Sequence, residues 1–282
     1  MRGKGKEGKG REEKRKEKER KEEREVLEKA FVLDAHTHIG ASYLTCYFTD
    51  KRWTAEELIR EMDRCGVDMA CVSGGGLPHE IKEMNRRTLE AVKRYPNRLI
   101  GFVRLSPKFS DVLEDLDFYI REQGFRGIKL HPNQDGFCLL KEPVLEQIYE
   151  RAAKYRVPVL IHSGTEPWSV AGQFADQAEM FPEVTFIMAH SGLRNDKHVF
   201  DSAKRVKNLV LETSIGGVSS PRGLGKDRVV YGSDWPTTSM RSELQEVLDL
   251  WNSGHLRDDE ARDILGESMA RILGIAPRKE VK

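Results

Sequence analysis

From residue 31 to about residue 275 the chain repeats one unit, an apolar run, a break and an amphipathic segment. That repeat constrains the fold more than any other feature. The apolar runs fall at 31–36, 67–73, 98–105, 125–130, 157–162, 184–189, 208–213 and 228–233, and each has the length and boundaries of a strand. Helical patterns lie between them: Thr54 to Cys65 behind a threonine that can cap, Glu80 to Tyr95, Asp111 to Gln123 and Glu142 to Tyr155. Shorter pieces follow near 173–180 and 195–206, and helices at 242–252 and 258–273 close the chain. Eight strands, each followed by a helix or a short substitute, describe an α/β fold, a (β/α)8 TIM barrel, better than an open sheet. Periodicity does not show closure, so the open sheet stays as the alternative. A length of 282 residues suits a single large domain of this kind.

Where the runs end, polar residues recur. Phe31-Val-Leu-Asp-Ala leads to His36 and His38, which period two places on one face of a strand, about 6–7 Å apart along the backbone. Two imidazoles so placed are half of a metal site, or two histidines on a half-buried strand end. Three more apolar runs end in His162-Ser-Gly, His190-Ser-Gly and Asp234-Trp-Pro. In a parallel α/β fold the C-terminal strand ends gather on one face, so topology brings these residues together. A bound zinc-type ion with an open position would lower the pKa of its water to about 7. Asp234 could then take the water's proton, and His190 could orient the water or polarise a carbonyl. Alternatively, His190 is a core histidine bonded to backbone.

Two cations belong to the same face. In Gly127-Ile-Lys-Leu-His, Lys129 points into the barrel mouth if Ile128 and Leu130 face the helices, and there it could hold an anionic substrate. Arg104, ending the third run, could grip a substrate carboxylate with two parallel hydrogen bonds, or form a structural ion pair with an inward acid such as Asp34.

The rest of the composition sets limits. Net charge is +1, which gives no general argument for nucleic acid as a partner. Cys46, Cys65, Cys71 and Cys138 show no CxxC spacing, so reduced thiols and a cytoplasmic location are expected. No stretch approaches the roughly 18 apolar residues of a membrane span, and the lysine-rich N-terminus lacks the apolar segment of a secretory signal. Residues 1–28, almost all Lys, Arg, Glu and Gly, cannot join a core and are expected to be a solvated tail, helical from Arg11 onward. The barrel is expected over 29–276 and a short tail over 277–282. A content of Lys, Arg and Glu this high also suits a heat-adapted organism.

Taken in order and spacing, Asp34-Ala-His-Thr-His, Gly127-Ile-Lys-Leu-His-Pro, Ile161-His-Ser-Gly, Ala189-His-Ser-Gly and Tyr231-Gly-Ser-Asp-Trp-Pro resemble the amidohydrolase superfamily, over residues 31 to about 275. More narrowly, they resemble its amidohydrolase-related branch, which includes lactonases and aminocarboxymuconate-semialdehyde decarboxylase. The resemblance implies one divalent metal, zinc, on His36, His38, His162 and Asp234, with His190 a catalytic non-ligand. A second metal on a carboxylated Lys129 is the alternative. The expected function is metal-dependent hydrolysis of a small carbonyl compound, a lactone, amide or ester bearing a carboxylate. Its rivals are nonoxidative decarboxylation of an aromatic or muconate-type acid and a non-catalytic barrel that binds metal or RNA. A TatD-like nuclease would carry a ligating Glu near the third or fourth strand, where this chain has Arg104 and Lys129. Barrels of this kind often pair as homodimers.

Other residues read as ordinary. Gly74-Gly-Gly-Leu-Pro lacks a following GK[ST] and is expected to be a flexible active-site loop. His79, His198 and His255 are expected at the surface, and His131 at the mouth without a ligand role. Tyr43, Tyr47, Phe48, Trp168 and Trp235 either wall the pocket or pack.

Overall fold

The computed structural model describes residues 30–41, 51–164, 168–191, 197–215 and 224–277. The charged segment 1–28, Tyr43, Cys46, Tyr47, Phe48 and residues 278–282 lie outside these. Eight strands run β1 Leu33–Ile39, β2 Met69–Gly74, β3 Leu99–Arg104, β4 Gly127–Leu130, β5 Val159–His162, β6 Phe186–Ala189, β7 Leu209–Glu212 and β8 Val229–Val230. All pair in parallel, in chain order. The segment after β8 closes the ring on β1: Ala35 N donates to Tyr231 O at 2.9 Å, Asp234 N to His36 O at 2.8 Å and His38 N to Trp235 O at 2.8 Å. The fold is therefore the (β/α)8 barrel and not the open sheet. β8 is shorter than its apolar run because residues 231–235 reach β1 through these separate bonds rather than a continuous ladder.

Helices fill the intervals as the periodicity predicts. Ala55–Cys65 starts on a reciprocal cap between Thr54 and Glu57 and stops at Gly66, whose φ of 79° suits glycine. The stretch expected as one helix from Asp111 is Val112–Asp117 continued by a wider π turn, Phe118–Glu122. Alternation divides the core in two. Val72, Val103, Ile128 and Ile161 face the helices, whereas Cys71, Ile100, Phe102, Leu160, Ile187 and Val210 fill the barrel. Met269 and Leu273, from the last helix Ser268–Leu273, pack with the interior set around Phe31 and Leu33 and stopper its N-terminal end. Only the C-terminal end is left for chemistry.

One glycine is fixed by this packing. A Cβ on Gly127 would lie 2.2 Å from the Phe102 ring, which fills the interior in its place. Gly127→Ala is expected to cost about 1–3 kcal/mol by overpacking. Urea unfolding measures it, and Phe102→Leu in the same chain should recover part of the loss because the two sites share one space.

Candidate active site

Every strand sends a polar residue to the open end, and β1 does so by a local irregularity. Its register against β2 jumps between Asp34 and Thr37, which pair with Ala70 and Val72, so β1 carries one extra residue. Leu33 and Ala35 can then pack inside the barrel while His36 and His38 also reach its mouth. Asp34 Oδ1 pins the bulge, accepting from His36 N and Ser233 N at 3.0 Å each. On β2, β3, β4, β5 and β7 unbroken alternation brings in Ser73, Arg104, Lys129, His162 and Glu212. His190 and Asp234 arrive by another route. Their φ values of 57° and 49° lie in the left-handed region, which costs a non-glycine residue about 1–3 kcal/mol and is concentrated at functional sites.

Three ligand-type atoms meet at the centre. His36 Nε2 lies 3.0 Å from His38 Nε2 and 3.4 Å from Asp234 Oδ1, and His38 Nε2 lies 3.1 Å from that oxygen. Two ligands bound about 2.0–2.2 Å from one ion stand roughly 3.0–3.5 Å apart, so this spacing fits a shared cation. His190 brings a ligand atom within 4.8 Å of those of His36 and Asp234. His162 reaches His190, Nδ1 to Nε2, at 3.1 Å, and stacks on His131 with ring centroids 3.9 Å apart. Lys129 Nζ is 2.8 Å from His36 Nε2. The residues present fit a divalent metal.

Burial dominates the electrostatics. Desolvation, followed by the Lys129 charge, holds His36 well below the usual histidine range, and desolvation also lowers His38, His131 and His162. His190 is pushed down to about 4 for the same reason. Neutral imidazoles keep the lone pairs a metal needs. Burial lowers Lys129 to about 8, with Asp234 and Glu212 opposing. For Asp234 burial acts upward, but His190, His38 and Lys129 outweigh it and hold the carboxyl at about 2. Glu212 is raised to about 8 by burial, against the pull of Ser214 and His190 backbone N–H groups.

The other expectations sort by contact. Arg104 is 3% exposed, and its terminal nitrogens donate to Gly76 O at 2.7 Å, Gln134 Oε1 at 2.8 Å and Asp135 Oδ1 at 2.9 Å. Its acid is therefore Asp135 and not Asp34, which is occupied with the β1 bulge. The glycine loop after β2 is not a free flap: Gly75 N donates to Ile39 O at 2.7 Å, and a Cβ on Gly75 would lie 2.1 Å from Ala41 O. Close approach of the Ala41 backbone accounts for Gly75, and a φ of +123° for Gly76. Trp235 packs edge-on against Trp53, Trp168 stands 41% exposed beyond β5, and His79, His198 and His255 are at the surface. Glu212 and Ser214 escaped the sequence reading, although Leu209-Val-Leu ends in Glu212 much as Val159-Leu-Ile ends in His162.

The amidohydrolase family model matches residues 77–275. The chain belongs to this family. The match begins after β2, so His36 and His38 lie outside the matched residues. No curated protein matches the chain. Among solved structures of this fold is the 5-carboxyvanillate decarboxylase of Novosphingobium aromaticivorans with manganese and 4-hydroxy-3-methoxy-5-nitrobenzoic acid. It is 14% identical, covering 88% of this chain and 97% of that one, with a TM-score of 0.70. A probable 2-pyrone-4,6-dicarboxylic acid hydrolase of Acinetobacter baumannii with citric acid bound is 17% identical over 86% and 99%, TM-score 0.62. A 2,6-dihydroxybenzoate decarboxylase from Rhizobium is 15% identical over 87% and 99%, TM-score 0.64. At these identities the likeness shows the fold. Among the described residues no helix is long and apolar enough to cross a membrane.

Proposed function

We propose that this barrel is a metal-dependent hydrolase of a small carbonyl compound bearing a carboxylate: a lactone, ester or amide. The meeting of His36 Nε2, His38 Nε2 and Asp234 Oδ1 within 3.4 Å carries the reading. Those residues would hold one divalent ion, with His162 and His190 beside them. An imidazole-rich set suits zinc, while the manganese in the Novosphingobium structure makes manganese the second metal to test. When bound, the ion supplies a Lewis acid and an acidified water. Asp234, anionic at neutral pH, takes the proton of the attacking water and returns it to the leaving oxygen or nitrogen as the carbonyl carbon's bond to that atom breaks. His190, neutral and with Nε2 toward the centre, orients the attacking water by accepting from it. Lys129, buried and mostly cationic near pH 7, holds the substrate carboxylate. The terminal nitrogens of Arg104 are committed to Gly76, Gln134 and Asp135, so that task falls to Lys129.

The decarboxylases among the solved structures support a second reading, loss of carbon dioxide from a hydroxybenzoate-type acid. One experiment separates the two. Protein loaded with zinc or manganese is offered carboxylate-bearing lactones and esters in a pH-stat, and hydroxybenzoic acids with carbon dioxide detection. Acid release from the first group supports hydrolysis, and carbon dioxide from the second with no acid from the first overturns it. On the best hydrolytic substrate, Lys129→Met is expected to raise KM tenfold or more, on the order of 1.4 kcal/mol of lost binding. A neutral ester of the same shape should respond much less. Equal effects on both substrates would remove Lys129 from carboxylate binding.

A further inference from the structure

Glu212 is a buried acid of the barrel mouth that the proposed chemistry leaves unused. It ends β7 fully buried, and four donors surround its carboxylate. Oε2 lies 3.0 Å from His36 Nδ1, 3.1 Å from His190 N and 2.8 Å from Ser214 Oγ, and Oε1 lies 2.6 Å from Ser214 N. The pocket is shaped for it, since a Cβ on Gly232 would fall 2.2 Å from Oε1. Four strands thus meet on one group: β1 through His36, β6 through His190, β7 itself, and β8 through Gly232.

Proton accounting then fixes two rings. Ionised, Glu212 has no proton to give, so both carboxylate oxygens only accept, from the backbone N–H groups of His190 and Ser214 among others. Ser214 Oγ donates to Oε2, which leaves its oxygen, 2.8 Å from His190 Nδ1, to accept from that ring. His36 Nδ1 donates to Oε2 directly. Both rings are therefore Nδ1–H tautomers, and both turn an Nε2 lone pair to the centre, where His36 meets Lys129, His38 and Asp234 and where His190 meets His162. An outer carboxylate that orients a ligating histidine in this way typically contributes 10- to 100-fold in metal affinity.

We propose that Glu212 is a positioning residue of the site, one carboxylate that sets the tautomer and orientation of His36 directly and of His190 through Ser214, with Gly232 as its cradle. This rests on the metal-site reading above.

Ring ¹⁵N NMR of the metal-free protein at pH 9, where Glu212, raised to about 8, is ionised, and Mn²⁺ binding, followed as free Mn²⁺ by electron paramagnetic resonance, test it on wild type, Glu212→Gln and Ser214→Ala. A glutamine keeps the shape but sets an N–H₂ against one of the donors. Wild type is expected to show Nδ1–H at both rings. Glu212→Gln should move both rings toward Nε2–H and weaken Mn²⁺ binding about 10- to 100-fold, and Ser214→Ala should move His190 alone. Wild-type tautomers and affinity in Glu212→Gln would overturn the proposal. Should that variant fail to fold, Ser214→Ala decides: an unchanged His190 ring overturns the path through Ser214. If wild type shows the assigned tautomers but binds neither Mn²⁺ nor Zn²⁺, the metal reading falls and the role of Glu212 with it. Tight Mn²⁺ binding by wild type and Glu212→Gln alike overturns Glu212 alone.

Discussion

Asp234→Asn is expected to lower kcat about 10²- to 10⁴-fold, the range of a lost general base. Asparagine keeps the shape of the side chain and can still meet His36 and His38, which lie 3.4 and 3.1 Å from Oδ1. It cannot take a proton from water, and it offers a metal no charge. The left-handed backbone at this residue is a conformation asparagine tolerates well, so the fold should persist and thermal unfolding should change little. Steady-state kinetics on the best substrate measure the effect. Turnover within tenfold of wild type would remove Asp234 as the base.

The largest expected effect on stability lies away from the site. Arg228, 9% exposed, donates from Nε to Leu209 O at 2.9 Å and from its terminal nitrogens to Ala203 O at 2.5 Å, Val206 O at 2.7 Å and Leu224 O at 3.4 Å. It ties the C-terminal end of the helix Lys197–Arg205 to β7, where a cation also suits the helix dipole. Arg228→Met keeps most of the buried stem but leaves several buried carbonyls without a donor, at about 1–3 kcal/mol each where water cannot replace it. A loss of roughly 3–5 kcal/mol is expected in urea unfolding. A loss under about 1 kcal/mol would mean that water serves these carbonyls.

How far the sequence reached depends on how local each determinant is. Lys129 and His162 were legible because β4 and β5 alternate without interruption. His36 and His38 were legible as a pair, but their place inside the barrel was not. Continued from Leu33, period two would send them to the opposite face, and only the extra residue between Asp34 and Thr37 turns them inward. That bulge is set by pairing with β2 and by Asp34 reaching Ser233, contacts distant in sequence. The partner of Arg104 was hidden for the same reason, since Asp135 belongs to the short helix Pro132–Asp135 after β4. Glu212 was different, because its signal was present. An acid closing an apolar run at the inward phase was passed over because no motif marked it.

Metal content per chain by plasma mass spectrometry, on wild type beside the His36→Ala, His38→Ala double variant, tests the central claim most directly. The convergence of His36, His38 and Asp234 predicts about one divalent ion per wild-type chain and almost none in the double variant. Wild type without metal after reconstitution with zinc and manganese, or equal metal in both proteins, would contradict it.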